Sequence, residues 1–230
     1  MRAPAIALFF CTATACDSSF DVFERAPFVA SEVDSSWFST VALTPEGVIG
    51  WGDVPGGGLG VESEDQRLPP SSIDAASRIA LAAREVSLRL GERSTCLLAD
   101  GELRCWGLNE FGQLGVGDFE PRLAPGEVVA LPAPVASFDL FRRHVCAVLV
   151  SGELWCWGWG VESQINPGPG RPETSATPVR YGDDSDWTRV AVGDGHSCGV
   201  RSGTDLYCWG RNTERQAGGA STQAQVRSAS

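Results

Sequence analysis

No lysine occurs among the 230 residues, and all 18 basic side chains are arginine. A Walker-type phosphate loop needs Lys-Ser/Thr after its glycines, so Gly56-Gly57-Gly58 carries no nucleotide signal. Histidine is nearly missing too, with only His144 and His196. That removes the commonest general base and zinc ligand from most of the chain. The apolar stretch from Ala5 to Ala15 is free of charge but too short to cross a bilayer. Cations are outnumbered, 18 against 29 acidic residues, for a net charge of −11 and a pI near 4.6. Such a chain repels phosphate backbones, which argues against nucleic acid and favours basic protein partners.

What the sequence has is glycine, 27 residues, and cysteine, eight. Between Ser94 and Gly107, two apolar segments flank Asp100-Gly101. Asp-Gly between such segments is the strongest short hairpin signal, because a primed turn needs positive φ at both central residues. A two-residue loop pairs Ala99 with Glu102, Leu98 with Leu103, Leu97 with Arg104 and Cys96 with Cys105. Directly opposite residues lie within reach of a disulfide. The spacing therefore predicts a stapled hairpin with Trp106 on the opposite face.

The pattern repeats. Trp-Gly recurs at Trp51-Gly52, Trp106-Gly107, Trp157-Gly158 and Trp209-Gly210, at spacings of 55, 51 and 52. Cys105, Cys156 and Cys208 precede three of these tryptophans, with mates at Cys96, Cys146 and Cys198. The last two hairpins need one more loop residue, supplied by Val150-Ser151-Gly152 and Ser202-Gly203-Thr204. Val41 and Gly50 stand where the first repeat's pair belongs, so both members are lost together. Downstream come Gly58-Leu59-Gly60, Gln113-Leu114-Gly115, Gln164-Ile165-Asn166 and Gln216-Ala217-Gly218. Short apolar strands at such a period read as propeller blades.

These motifs resemble the regulator of chromosome condensation repeat. The second repeat carries Asp100-Gly101, Trp106-Gly107, Asn109, Gly112, Gln113, Leu114 and Gly115; the fourth keeps His196-Ser197, Trp209-Gly210, Asn212 and Gln216. The resemblance implies an all-β fold of propeller-type repeats. Family members usually close seven blades, whereas four repeats predict an incomplete or open propeller. The family includes a nuclear exchange factor for a small GTPase, but a shared fold does not transfer an activity.

The N-terminus reads as an export signal: Met1-Arg2, an apolar stretch, then Ala13-Thr14-Ala15 directly before Cys16. This resembles a bacterial lipoprotein signal, with Cys16 as the lipidated first residue and Ala13 where such signals usually have Leu. Cys11 leaves with the signal and six cysteines pair, so lipidation also accounts for the odd one. The expected division is 1–15 signal peptide, 16–30 tether or closing strand, and repeats at 31–75, 76–132, 133–182 and 183–230. The fourth is expected to lack its last strand, which the segment from Phe20 to Val29 can supply by pairing back. The domain is placed outside the cytoplasm, periplasmic or at the cell surface, where disulfides persist.

Nothing in the sequence converges on catalysis. The Cys spacing is not that of a zinc site, and structural disulfides are favoured over free thiols or metal. His144 and His196 occupy equivalent repeat positions, which predicts a structural hydrogen bond rather than a lone base. The repeat tryptophans read as blade core, with Trp155, Trp157 and Trp159 having the best claim to an exposed sugar-stacking patch. Asp183-Asp184-Ser185-Asp186 offers oxygen ligands but lacks the Gly and closing Glu of a calcium loop. The reading is a non-catalytic protein-interaction module at the cell envelope, without cofactor or metal. Its interaction loops are expected around Phe119, Arg122, Trp159 and Arg171. A protein partner or a second copy is expected, and the membrane is met only through the lipid. A carbohydrate or envelope-polymer binder and a truncated gene product are the alternatives.

Overall fold

The computed structural model describes residues 29–53, 58–59, 67–166, 172–218 and 226–227. Its strands form four antiparallel sheets in chain order. Blade 1 holds β1 (Glu32–Ser35), β2 (Ser39–Thr44), β3 (Gly47–Asp53) and β4 (Arg67–Ser72). Blade 2 holds β5 (Val86–Leu90), β6 (Ser94–Ala99) and β7 (Glu102–Gly107). Blade 3 holds β8 (Val135–Phe141), β9 (His144–Leu149), β10 (Leu154–Trp159) and β11 (Thr174–Arg180). Blade 4 holds β12 (Trp187–Val192), β13 (His196–Arg201), β14 (Asp205–Gly210) and the short β15 (Val226–Arg227). The first strands pack in succession, β1 on β5, β5 on β8 and β8 on β12, as propeller blades do.

The hairpin register is the one the sequence dictates. Asp100 and Gly101 both have positive φ, 49° and 85°, and Cys96 stands opposite Cys105. Cys146 faces Cys156 and Cys198 faces Cys208 in the next two blades. All three pairs are bonded, with Cα atoms 4.0–4.1 Å apart at the narrow sites of the ladder. In blade 1, Val41 stands directly opposite Gly50. Each Trp-Gly glycine has φ between +96° and +107°, and a Cβ at Gly158 would meet the Arg143 carbonyl oxygen at 2.3 Å. Only glycine fits that crossing.

Three features depart from expectation. Blade 4 does have a last strand: β15 pairs Val226 with Cys208 and Arg227 with Tyr207. Blade 2 lacks a regular fourth strand; Gly107 makes a bridge with Arg122, and Pro121, Pro125, Pro132 and Pro134 break the segment that follows. A helix, α1 (Asp74–Ala82), interrupts the all-β pattern and packs on β3, where the Ser77 hydroxyl donates to the Val48 carbonyl and accepts from its N–H. Cys16 and most of the segment proposed to pair back from the N-terminus lie outside the described residues, as does Arg171. Among the described residues no helix is long and apolar enough to cross a membrane.

Candidate functional site

Each blade uses its two faces differently. In blades 2 to 4 the trailing face carries the disulfide, and the leading face, toward the preceding blade, carries the Trp-Gly tryptophan. Cys96, Leu103, Cys105 and Leu114 of blade 2 thus enclose Trp157 of blade 3 together with Val145 and Ala147. Cys146, Leu154, Cys156 and Ile165 of blade 3 enclose Trp209 of blade 4. Trp106, Trp157 and Trp209 are 0–2% exposed. The indole N–H of Trp157 donates to the Gln113 carbonyl at 2.9 Å, and that of Trp209 to the Gln164 carbonyl at 2.8 Å.

The loops carrying those carbonyls are built by their own side chains. Asn109 Oδ1 accepts the Leu114 N–H and Gln113 Oε1 the Phe111 N–H. Asn212 and Gln216 do the same for Ala217 and Glu214. In blades 2 and 3 the motif is therefore a rigid inter-blade loop that presents one carbonyl to the next tryptophan, whereas the equivalent Gly58 carbonyl of blade 1 accepts from the Thr95 hydroxyl.

The candidate chemical groups are mostly spent in this frame. His144 is fully buried, with Nε2 2.8 Å from Ser197 Oγ of the next blade. Burial, reinforced by His196, holds its pKa down to about 3 from 6.5. The unfolded imidazole thus binds a proton between pH 6.5 and about 3 while the folded one does not. Stability is therefore fully present above pH 6.5 and falls as pH drops toward 3. At about 1.4 kcal/mol per unit, the full window amounts to on the order of 5 kcal/mol. His144→Gln is expected to lose that one-proton slope in urea titrations run across pH 7 to 4; an unchanged slope would rule His144 out as its source. Asp184 and Asp186 are engaged by arginine: Arg201 binds Asp184 through both Nη atoms at 2.7 Å and Asp186 through Nε at 2.7 Å. Among the described residues no group of three or more His, Cys, Asp or Glu is placed to hold a metal ion.

Of the two readings of the blade 3 tryptophans, the core reading holds for Trp157 and no exposed patch of all three is formed. Trp157 is core, as just described, and Trp159 lies under the Arg143 guanidinium, 5.3 Å from its ring centroid. Arg122 is not a free loop contact either; it closes the blade 2 edge through its backbone and binds Asp118 at 2.7 Å. Phe119 remains on the surface.

Sequence reading missed a different site. The turns joining the first two strands of every blade lie at one end of the molecule, and four blades meet there at Arg142. Its guanidinium binds Glu92 of blade 2, reaches Asp194 of blade 4 at 3.2 Å, and lies 5.2 Å over the Trp37 ring of blade 1. Glu92 is the first cause of the raised Arg142 pKa. Phe141 packs edge-on to Trp37 at 6.5 Å. Trp37 is 60% exposed, and Phe38 beside it is similarly open. Arg143 adjoins this node and spans Phe111 and Trp159. Arginine and exposed aromatics therefore gather at the turn end of an acidic chain. The opposite, hairpin end carries Glu85, Asp100, Glu153, Asp184, Asp186 and Asp205, with a cleft of about 510 Å³ at Asp100, Pro134 and Val150.

The regulator of chromosome condensation (RCC1) repeat matches this chain over residues 86–113, 100–148 and 187–216. Among known proteins, the ultraviolet-B receptor of Arabidopsis thaliana is 30% identical over 182 residues, which cover 78% of this chain and 40% of that one. The E3 ubiquitin-protein ligase HERC2 of Homo sapiens is 28% identical over 206 residues, 86% of this chain but 4% of that protein. The crystal structure of yeast RCC1 bound to Kap60 superposes with a TM-score of 0.73 at 23% identity, covering 90% of this chain and 50% of that one. The chain thus spans under half the length of these curated relatives and half of the solved propeller.

Proposed function

We propose that this chain, which belongs to the regulator of chromosome condensation (RCC1) repeat family, is a non-catalytic protein-binding module whose binding surface is the turn end around Arg142. The observation that carries this reading is the convergence of four blades on one arginine beside exposed Trp37 and Phe38. Trp and Arg dominate binding hot spots because they bury large areas and lose little freedom. Here they sit on short turns between paired strands and Arg142 is held by its ion pairs, so little ordering cost falls on association. A partner suited to this surface offers an apolar pocket for Trp37 and a carboxylate for Arg143, whose guanidinium lies over Phe111 and Trp159. Nucleic acid fits poorly, because Arg142 is already neutralised by Glu92 and Asp194 and the whole chain is acidic.

The setting we propose is the bacterial cell envelope, with Cys16 lipidated after export. Support comes from the small-x-small site before Cys16 and from three disulfides that need an oxidising compartment. Intact mass and detergent partitioning of the mature protein test the anchor; a soluble product beginning at an unmodified residue would refute it.

The binding surface is tested by photocrosslinking in cells from positions 37 and 38, with position 119 as comparison. One specific envelope protein is expected at the first two. Trp37→Ala and Arg142→Ala should each weaken that complex by at least about tenfold, with unfolding midpoints little changed for the exposed Trp37. Equal crosslinking from all three positions would refute the assignment.

A further inference from the structure

The first strand of each blade is an inner edge, and alternate N–H groups along it turn away from the sheet. These four strands share one register. Glu32 stands opposite Leu43 of its neighbouring strand, Ser87 opposite Leu98, Ser137 opposite Val148 and Arg189 opposite Val200. Between blades 1 and 2 the outward N–H groups are met by carboxylates. Glu32 accepts the Leu88 N–H at 2.8 Å, the Ser87 hydroxyl at 3.2 Å and the Arg89 guanidinium. Asp34, two residues on, accepts the Leu90 N–H at 2.8 Å.

Between blades 3 and 4 only the second of these carboxylates is present. Asp139 stands at the place of Asp34 and accepts the Val192 N–H at 2.7 Å. The place of Glu32 is taken by Ser137, whose hydroxyl has no hydrogen bond among the described residues. Strand alternation turns the Val190 N–H the same way as that of Val192. It is the counterpart of the Leu88 N–H, and it has no acceptor among the described residues. Arg189 takes the place of Ser87; it is exposed and makes no ion pair among the described residues. A cavity of about 440 Å³ opens here, lined by Ser137, Asp139, Arg189 and Val190 together with Arg89 of blade 2. That volume lies within the range of small-molecule sites, about 300–1,000 Å³.

We infer that the cavity between the inner strands of blades 3 and 4 binds a small organic carboxylate. Its carboxylate takes the place that Glu32 holds at the first junction: it accepts the Val190 N–H and the Ser137 hydroxyl and pairs with Arg189. An N–H, a hydroxyl and a guanidinium are the donors that Glu32 itself receives. Asp139 does not bar a second carboxylate, because Glu32 and Asp34 stand two residues apart in the same register, each on its own N–H. The walls are the inner strands of three blades, a recess of small-molecule size rather than a flat surface for a folded partner. No residue of the site belongs to the Arg142 node, so this inference goes beyond the binding reading above and does not depend on it.

The test is titration of the isotope-labelled full chain with succinate, read at the Val190 amide by NMR, with succinamide as the uncharged analogue. Succinate should move the Val190 amide proton downfield and saturate, and succinamide should not. Arg189→Gln removes an exposed, unpaired cation, so the fold should persist while succinate weakens by at least about tenfold, the scale of one charged hydrogen bond. Ser137→Glu gives blade 3 the carboxylate that blade 1 carries; it should produce the downfield Val190 shift without ligand and abolish succinate binding. No saturable shift at Val190, an equal response to succinamide, or an unchanged affinity in Arg189→Gln would each overturn the inference, as would succinate binding that survives Ser137→Glu. A Val190 shift seen with a glutamate-rich peptide but not with succinate would also overturn it, by making the site a docking point for a protein carboxylate. Loss of partner crosslinking at Trp37 with succinate binding intact bears on the binding reading alone.

Discussion

Replacing all six paired cysteines by alanine is expected to lower the unfolding midpoint by roughly 15–30 °C, on the scale of about 2–4 °C per kcal/mol for a chain of this size. Each bridge closes a loop of nine or ten residues. Chain entropy gives roughly 2.5–3 kcal/mol for such a loop, so three together reach about 8 kcal/mol. A domain has only about 5–15 kcal/mol to lose. Short hairpins keep some order when unfolded, which makes this sum an upper figure. Blade 1 has no bridge, and its Val41 and Gly50 stand face to face without one. Selective reduction should therefore proceed from blade 4, where Cys198 is half-exposed, before the fully buried Cys146–Cys156 bridge of blade 3. Differential scanning calorimetry of the six-alanine chain and peptide mapping during timed reduction are the measurements. A midpoint change under about 4 °C, or first reduction in blade 3, would contradict the account.

The hairpins were legible because a two-residue loop fixes register by arithmetic. Once Asp100-Gly101 is the turn, Cys96 has no other partner position, and the pleat then sends Trp106 to the opposite face. The tryptophans were legible as core because they recur with the turn. Their acceptors were not. The Gln113 and Gln164 side chains recur visibly, yet it is their backbone carbonyls that bind the indoles, and every residue has a carbonyl. The helix over Asp74–Ala82 left a trace in the sequence: strong helix formers, and 55 residues between the first two tryptophans against 51 and 52 later. Counting repeats by their tryptophans alone does not say where the extra residues fall. Blade 2's missing fourth strand is hidden by the repeat itself, which implies a strand that its prolines then refuse. The Arg142 node had no local signal at all. Glu92 and Asp194 lie about 50 residues to either side of Arg142, and only the stacking of blades brings them together. Blade 4's last strand is two residues long and left no apolar alternation to read.

Trp157→Ala is expected to cost about 3–5 kcal/mol, the range for removing a large aromatic from a core. Its ring fills the space between blades 2 and 3, against Cys96, Leu103, Cys105 and Leu114. The fit leaves little room to relax: a Cβ at Gly115 would come within 2.6 Å of the indole nitrogen, so the neighbouring loop already touches the ring. Truncation also strands the Gln113 carbonyl, whose donor was the indole N–H. Trp157→Phe should recover much of the packing but not that hydrogen bond, and fall about 1 kcal/mol or more short of the parent chain. Trp51→Ala makes the control. The same motif position in blade 1 is half-buried, so the single chain should lose far less stability there. Urea unfolding separates the three variants. If Trp157→Ala and Trp51→Ala cost the same, the tryptophan is not the wedge between blades, and the stability of the row must reside in the inner strands, where Asp34 accepts the Leu90 N–H and Asp139 the Val192 N–H across successive blades.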